Sequence, residues 1–449
     1  MAIERLMRLG HARTVAHQFR PRRHHQQHFA YSSASGPLSG IRVVDLSRVL
    51  AMTAATSDVV LKGPFCTQIL ADYGADVIKI EQPLIGDDTR QWRTRGEDDM
   101  WQTGDAQSSA YFATINRNKR SLTLNLKRPE ARDILLGLIR RADVVVDNFV
   151  PGKLDQLRIG FEDMKSVKPD IIHASISGYG ATGPYSKRAG YDVIAAAEAG
   201  LLHITGEPNG RPMKPGVGLT DMCTGLYLHG AILAALRARD VTGQGQQVDT
   251  SLFETQVSLL ANVAMSWLNV GQEAQRWGTA HPSIVPYDCF KTADAYFVVG
   301  AVNDRQFASL CRLLDLEDLV KDKRFVDNGS RVKNRQILGD ILDATFSERN
   351  TADWMARFEG SGMPYGPINT MEKVFSHPQT IARDMVHTVV DESARSGKLH
   401  VLGIPVKFSK DKPSIRSRAP RLGEHTEAVL TEIGFTQDDI VRLAKDGVV

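Results

Sequence analysis

An aspartate set among glycines, just ahead of an amphipathic helix, is the stretch of this sequence with the most chemistry in it. Gly216-Val217-Gly218-Leu219-Thr220-Asp221-Met222-Cys223-Thr224-Gly225 leads into a segment where Leu226, Gly230, Leu233 and Leu236 recur at helical spacing. A helix is therefore expected from Leu226 to Ala238, with Asp221 at its mouth. Backbone N–H groups that lack an intrahelical partner collect there and stabilise a carboxylate by roughly 0.3–1 kcal/mol on an open surface. They stabilise in the same way a tetrahedral oxyanion formed beside that carboxylate, and more strongly in a site closed to water. The plainer role for Asp221 is a helix N-cap.

The elements that must position this aspartate follow an alternating pattern. Gly40 to Leu46 and Val77 to Glu81 read as strands, separated by a helix from Cys66 that stops at Gly74. The alternation returns with strand Ser121 to Leu126, helix Glu130 to Arg140 and strands Val144 to Val146 and Ile171 to Ser175. Strands separated by helices predict an α/β fold built on a parallel sheet covered on both faces. Further on, strand Tyr296 to Gly300 and helices near Asp304 to Leu314, Lys333 to Phe346 and Thr351 to Phe358 read as a smaller lobe at 281–386, after which the chain returns to the first lobe through Pro405 to Phe408. A length of 449 residues, more than one core usually fills, also predicts two lobes.

Composition excludes several classes of function. Apolar residues make up 42% and charged residues 24%, the balance of an ordinary globular protein. The net charge of +3 is concentrated in the first residues, so the rest of the chain offers no field for nucleic acid. No apolar run approaches the roughly 20 residues of a membrane span, so no membrane partner is expected. Cys66, Cys223, Cys289 and Cys311 are widely spaced and read as free thiols of a reducing compartment. The leader carries Arg5, Arg8, Arg13, Arg20, Arg22 and Arg23 against the single acid Glu4 and ends in Tyr31-Ser32-Ser33-Ala34-Ser35, the pattern of a mitochondrial transit segment over 1–36. Gly178-Tyr179-Gly180-Ala181-Thr182-Gly183 fits a dinucleotide fingerprint, but Pro184 follows it and no helix is expected to open there, so a turn lining another ligand is the better reading.

Several runs resemble the class III coenzyme A transferases: Val43 to Arg48, Gly63 to Cys66, Ala71 to Glu81, Asn148 to Gly152, Ser177 to Tyr185, Gly190-Tyr191-Asp192, the Asp221 segment, His281-Pro282 with Pro286-Tyr287, and Leu422 to Thr426. The resemblance covers nearly everything after residue 36 and is strongest to members that move coenzyme A from succinyl-CoA to glutarate or hydroxymethylglutarate in mitochondria. It implies a large domain with a Rossmann-like parallel sheet over 37–280, a smaller α+β domain over 281–386 and a return to the large domain over 387–449. Two such chains interlock as a homodimer. In that family the nucleophile is an aspartate lying 29 positions after the acid of a Tyr-Asp or Tyr-Glu pair, and Asp192 plus 29 is Asp221. A carboxylate suits the task, because it serves in turn as acyl acceptor, thioester and leaving group. The resemblance implies no permanently bound cofactor and no metal; a coenzyme A thioester is the substrate and a dicarboxylate the acceptor.

For coenzyme A the same resemblance implies contacts from the loop Arg48 to Ala51, from Leu124, Leu126 and Lys127, and from Asn148 and Phe149. Leu124 and Leu126 can equally be strand core. Gln82 and Gln156 stand where relatives often carry phosphate-binding arginines, and Arg158 or Arg188 can substitute. Arg95, Arg117, Lys187 and Arg188 are candidates for the distal carboxylate of the acceptor. One departure is larger: Met52 to Lys62, eleven residues, are interposed between Ala51 and Gly63 where relatives run straight on. Weakened coenzyme A affinity is expected from that insertion, and a chain that binds coenzyme A without efficient transfer is an alternative reading. Acyl-CoA racemases share the family, but Tyr191 holds the place of their histidine, and a phenol of pKa near 10 is a poor base at neutral pH.

Overall fold

The computed structural model describes residues 36–48, 62–105 and 107–449. Most of the expected transit segment, the loop residues Val49, Leu50 and Ala51, and the insertion up to Leu61 lie outside the described residues; Lys62 lies inside.

Six strands form one parallel sheet: β1 (Arg42–Asp45), β2 (Asp76–Glu81), β3 (Lys119–Thr123), β4 (Val144–Asp147), β5 (Ile172–Ser177) and β6 (Gln246–Ser251), in the order β3-β2-β1-β4-β5-β6. Its central strands are continuous β-branched runs, as a sheet buried on both faces requires. The helices that cover it are α1 (Lys62–Asp72), α2 (Pro129–Ile139), α3 (Phe161–Val167), α4 (Leu219–Thr242), α5 (Thr426–Glu432) and α6 (Gln437–Lys445). Alternate strand residues go to opposite faces. Val43, Val77 and Val144 pack on Cys66 and Leu70 of α1 and Leu228 and Ile232 of α4. Val44, Ile78 and Val145 pack on Ile134 and Leu135 of α2, Met164 of α3 and Leu430 and Ile440 from the C-terminal helices.

A second core surrounds the antiparallel strands β7 (Tyr287–Lys291), β8 (Tyr296–Gly300) and β9 (Tyr365–Pro367). Phe290, Phe297, Phe346, Trp354 and Phe358 interlock there at ring separations from 5.0 Å. The hairpin β10 (Val386–Val390) and β11 (Lys398–Leu402) packs on Trp101 and Ala113. The chain then meets the large sheet's side again, where the Phe408 ring stands edge-on to Tyr73 at 5.5 Å.

Two expectations need correction. α1 begins four residues ahead of Cys66, with Pro64 in its first turn, where a missing N–H costs nothing. β3 lies two residues earlier than expected and ends at Thr123, so Leu124 and Leu126 come after the strand. A third concerns membranes: α4 is long and apolar enough by length and composition to cross one. One face of it, with Leu228, Ile232, Ala235 and Leu236, is buried against α1 and the sheet.

Candidate active site

Asp221 is the third residue of α4 and is fully buried. The N-cap is Gly218, whose backbone bends into the helix without a side chain to cap it. That work is done by Asp192, whose Oδ1 accepts the Asp221 N–H at 2.9 Å from 29 residues upstream. The N-cap role considered for Asp221 thus belongs to Asp192. Burial raises the Asp192 pKa, against the stabilising N–H bonds from Asp221 and Thr220 and the charges of Lys214 and Lys62. Thr220 fixes the turn further by donating its hydroxyl to Gln256 at 2.9 Å.

Two groups that the sequence did not single out complete this cluster. Lys62 opens α1 and is buried; its Nζ donates to the Ser177 carbonyl at the end of β5 across a long 3.4 Å. Burial pulls its pKa down to about 8, although the Asp221 and Asp192 carboxylates pull the other way. Burial, and after it the same two carboxylates, push the Tyr111 phenol well up, so it stays protonated as a hydrogen-bond donor. Close approach of the helices makes this possible: a Cβ on Gly225, one turn beyond Asp221, would stand 2.8 Å from the Lys62 carbonyl oxygen.

A small cavity of about 140 Å³ lies at the carboxyl ends of β1 to β4. It gathers Arg48, Leu124, Leu126, Lys127 and Phe149, together with Gln82, at the position where relatives often carry an arginine, and Lys153, which the resemblance did not assign to binding. Three cations face one acid, Glu81, which is already held by Arg90 at 2.7 Å. That balance suits phosphates, and Leu126, Phe149 and Leu157 suit an apolar ring or thread. Leu124 serves both readings: it is buried in the core and floors the cavity. At this size the cavity holds part of a ligand, since pockets for whole ones run to roughly 300–1,000 Å³.

The position is one that this topology favours. β1 connects toward β2 on one side, while β4 flanks it on the other, so the order reverses between β1 and β4, and a crevice opens at their carboxyl ends. Asn148 straddles that crevice: its Oδ1 accepts the Arg48 N–H at 3.0 Å and its Nδ2 donates to the Arg48 carbonyl at 2.7 Å. Asn148 therefore holds the Arg48 backbone instead of lining the cavity. Around Ser47 lies a fully buried ionic set. Burial works against Asp45, but the ammoniums of Lys119, at 3.1 Å, and Lys79, with the Ser47 and Thr67 hydroxyls, hold its pKa down. Lys79 in turn pairs with Asp87 at 2.8 Å and donates to the Ser47 carbonyl at 2.8 Å.

Other candidates are placed elsewhere. Arg188 pairs with Glu198 at 2.7 Å and lies over the rings of Tyr179 and Tyr185, apart from the cavity. Arg117 is committed to Asp72 at 2.7 Å, while Arg95 and Lys187 are exposed. The glycine-rich turn after β5 opens no helix before Asp192; Gly178 and Gly190 instead cross so closely that a Cβ on either would collide with the other's Cα. All four cysteines are free, and burial pushes the Cys66 and Cys223 thiols up, away from reactivity. Among the described residues no group of three or more His, Cys, Asp or Glu is arranged to hold a metal. A larger cavity of about 710 Å³, between β10, β11 and Ala110 to Thr114, has no lysine or arginine among the described residues that line it and does not suit phosphates.

Comparison with known proteins puts these geometries in a family context. Residues 38–426 match the sequence profile of CoA-transferase family III. An acyl-CoA transferase of Fusarium pseudograminearum is 54% identical over 93% of this chain and 89% of its own length. The human succinyl-CoA:glutarate CoA-transferase is 46% identical over 88% of this chain and 86% of its own. A crystal structure of a CAIB/BAIF family protein from Brucella suis superposes with a TM-score of 0.77 at 40% identity, over 89% of this chain and all of that one.

Proposed function

Because the chain belongs to CoA-transferase family III, we propose that it moves coenzyme A from succinyl-CoA to glutarate or a related dicarboxylate, with Asp221 as the group that carries first the acyl and then the coenzyme. The observation that carries this reading is the Asp192 side chain anchoring the Asp221 N–H, which keeps a buried carboxylate at the mouth of α4 without spending it on capping.

Asp221 attacks the succinyl thioester carbonyl; the C–S bond breaks, giving a mixed anhydride and the coenzyme A thiolate. The thiolate then attacks the aspartyl carbonyl, succinate leaves with the anhydride oxygen, and Asp221 becomes a CoA thioester. The acceptor carboxylate reverses both steps. The Leu219, Thr220, Asp221 and Met222 amides are taken up by the Val217 carbonyl, Asp192 and the Gly218 carbonyl, so the Tyr111 hydroxyl is the donor assigned to each oxyanion. Arg48, Lys127 and Lys153 take the phosphates, and Leu126 and Phe149 cover the apolar parts of the coenzyme.

Supporting evidence for the substrates comes from relatives: the human protein and that of Agrobacterium fabrum, 39% identical, are named for succinate and glutarate. The test is purified chain with succinyl-CoA and a panel of dicarboxylates, read by mass spectrometry of the CoA esters. Glutaryl-CoA formation supports the reading, and no transfer to any dicarboxylate opposes it. A second reading, a coenzyme A-binding chain with impaired transfer, draws on the complete burial of Asp221 with Lys62 at its side; the same assay decides.

The division at 280/281 and 386/387, import through residues 1–36 to the mitochondrial matrix, and an interlocked homodimer belong to this proposal too. The dimer is supported by the exposed apolar side chains of Leu226 and Tyr227 on α4 and of Met265, Trp267, Leu268 and Val270 on Ala261–Val270, a helix with no buried residue. Light scattering at micromolar concentration tests it, and a monomer contradicts it.

A further inference from the structure

Lys62 has no part in the transfer as described, yet its ammonium lies in the field of the Asp221 and Asp192 carboxylates. Its backbone packs against Gly225, on the α4 face that carries Asp221 one turn earlier, and its side chain runs inward to the end of β5. Among the described residues its hydrogen bond to the Ser177 carbonyl is the only one from Nζ, and it is long. Nothing there holds the amine as tightly as Asp45 holds Lys119. A primary amine beside an acyl anhydride is a chemical hazard, because the amide it forms is far more stable than the anhydride it consumes.

Resting on the transfer reading above, we infer that Lys62 is a second acyl acceptor: Nζ captures the succinyl group of the Asp221 anhydride as an amide, and the chain modifies itself during turnover. The neutral amine attacks the succinyl carbonyl, a C–N bond forms and the C–O bond to Asp221 breaks. The departing Asp221 carboxylate takes the surplus N–H proton, and no further reactant is needed. The product is N-succinyl-Lys62 with Asp221 regenerated. It removes the cation next to Asp221 and leaves a third carboxylate near Asp221 and Asp192, so each event silences one site. Burial favours the reactive form, since an ammonium whose pKa falls to about 8 is partly neutral near neutral pH.

The experiment incubates the full chain with succinyl-CoA, without acceptor, and maps peptides by mass spectrometry, beside Asp221→Asn and Lys62→Arg. The expected result is a succinyl group on the Lys62 peptide of the parent, absent from both variants. Its rate should rise about tenfold between pH 6 and 7 and level off above about pH 8. Activity of the parent should decay in step with the modification, while Lys62→Arg shows no such decay. Equal modification of Lys62 in Asp221→Asn would overturn the inference, because the amine would then be reacting with the thioester directly. A CoA thioester at Asp221 with Lys62 unmodified would overturn it while leaving the transfer reading intact. Absence of both adducts would count against the transfer reading as well.

Discussion

Asp192 Oδ1 accepts the backbone N–H of Asp221 at 2.9 Å, so one carboxylate caps the helix on which the other is displayed. The arrangement separates two tasks that a single aspartate at a helix mouth would otherwise combine. It predicts that Asp192→Ala lowers stability by the roughly 0.5–2 kcal/mol of a lost cap, and that transfer falls by more than stability does, because Asp221 loses its fixed position. Asp192→Asn keeps an acceptor oxygen and should recover most of both. Thermal melts and initial rates on the same preparations check it; equal rates for Ala and parent would remove Asp192 from the site.

The helices α1 and α4 approach closely at Gly225, where a Cβ would meet the Lys62 carbonyl at 2.8 Å and the Phe65 ring at 3.2 Å. Gly225→Ala should therefore destabilise by about 1–3 kcal/mol, the range of an overpacked core. Urea unfolding measures it, and a neutral effect would mean that α1 shifts freely.

Lys62 links stability to pH. Its pKa in the folded chain is lowered to about 8 from an ordinary 10.5. Between those values the unfolded chain binds a proton that the folded chain does not, so stability rises with pH across that window. Below about pH 8 the whole penalty is present, of order 3 kcal/mol. Lys62→Met should raise Tm at pH 7 and lose that advantage near pH 10. A variant less stable than the parent at pH 7 would show that attraction to Asp221 and Asp192 outweighs burial.

Lys119 should behave in the opposite way. It is equally buried, and burial likewise lowers its pKa to about 8, but it is paired with Asp45 at 3.1 Å. Lys119→Met leaves that buried carboxylate with Lys79 as its one ammonium, a loss of up to about 3–5 kcal/mol. Because Asp45 also receives the Ser47 N–H at 3.0 Å, the start of the Arg48 loop should loosen and coenzyme A affinity should drop with stability. Denaturant titration and calorimetric binding together test this, and unchanged affinity in a destabilised variant would uncouple the network from the loop.

The alternation of strand and helix was legible because β1, β2, β4 and β5 are apolar runs separated by amphipathic segments. β6 was not: Gln246 to Ser251 is a polar strand at the sheet edge, recognisable only once β5 is there to pair with it. The site divides in the same way. Asp221 stood out by its glycines, and Arg48, Leu124 and Phe149 by resemblance. Asp192 as a cap, Lys62 as a neighbour and Lys153 as a third cation depend on contacts between distant parts of the chain. A lysine in a sequence reads as solvated surface until a helix is seen to bury it.

The cations at the crevice predict a salt signature. Lys153→Gln and Lys127→Gln should each raise the Kd for coenzyme A several-fold at low ionic strength, with the difference shrinking as salt screens the phosphates. Calorimetry at two salt concentrations reads it. A Kd unmoved at low salt would place the phosphates elsewhere.

The central claim is that the Asp221 carboxylate becomes acylated and then thioesterified. Peptide mass spectrometry of the chain quenched after mixing with succinyl-CoA, with and without hydroxylamine, addresses it directly. The account predicts a hydroxylamine-sensitive CoA adduct on the Asp221 peptide and none in Asp221→Asn. Transfer by Asp221→Asn at a rate near the parent's, with no adduct on the parent, would contradict it.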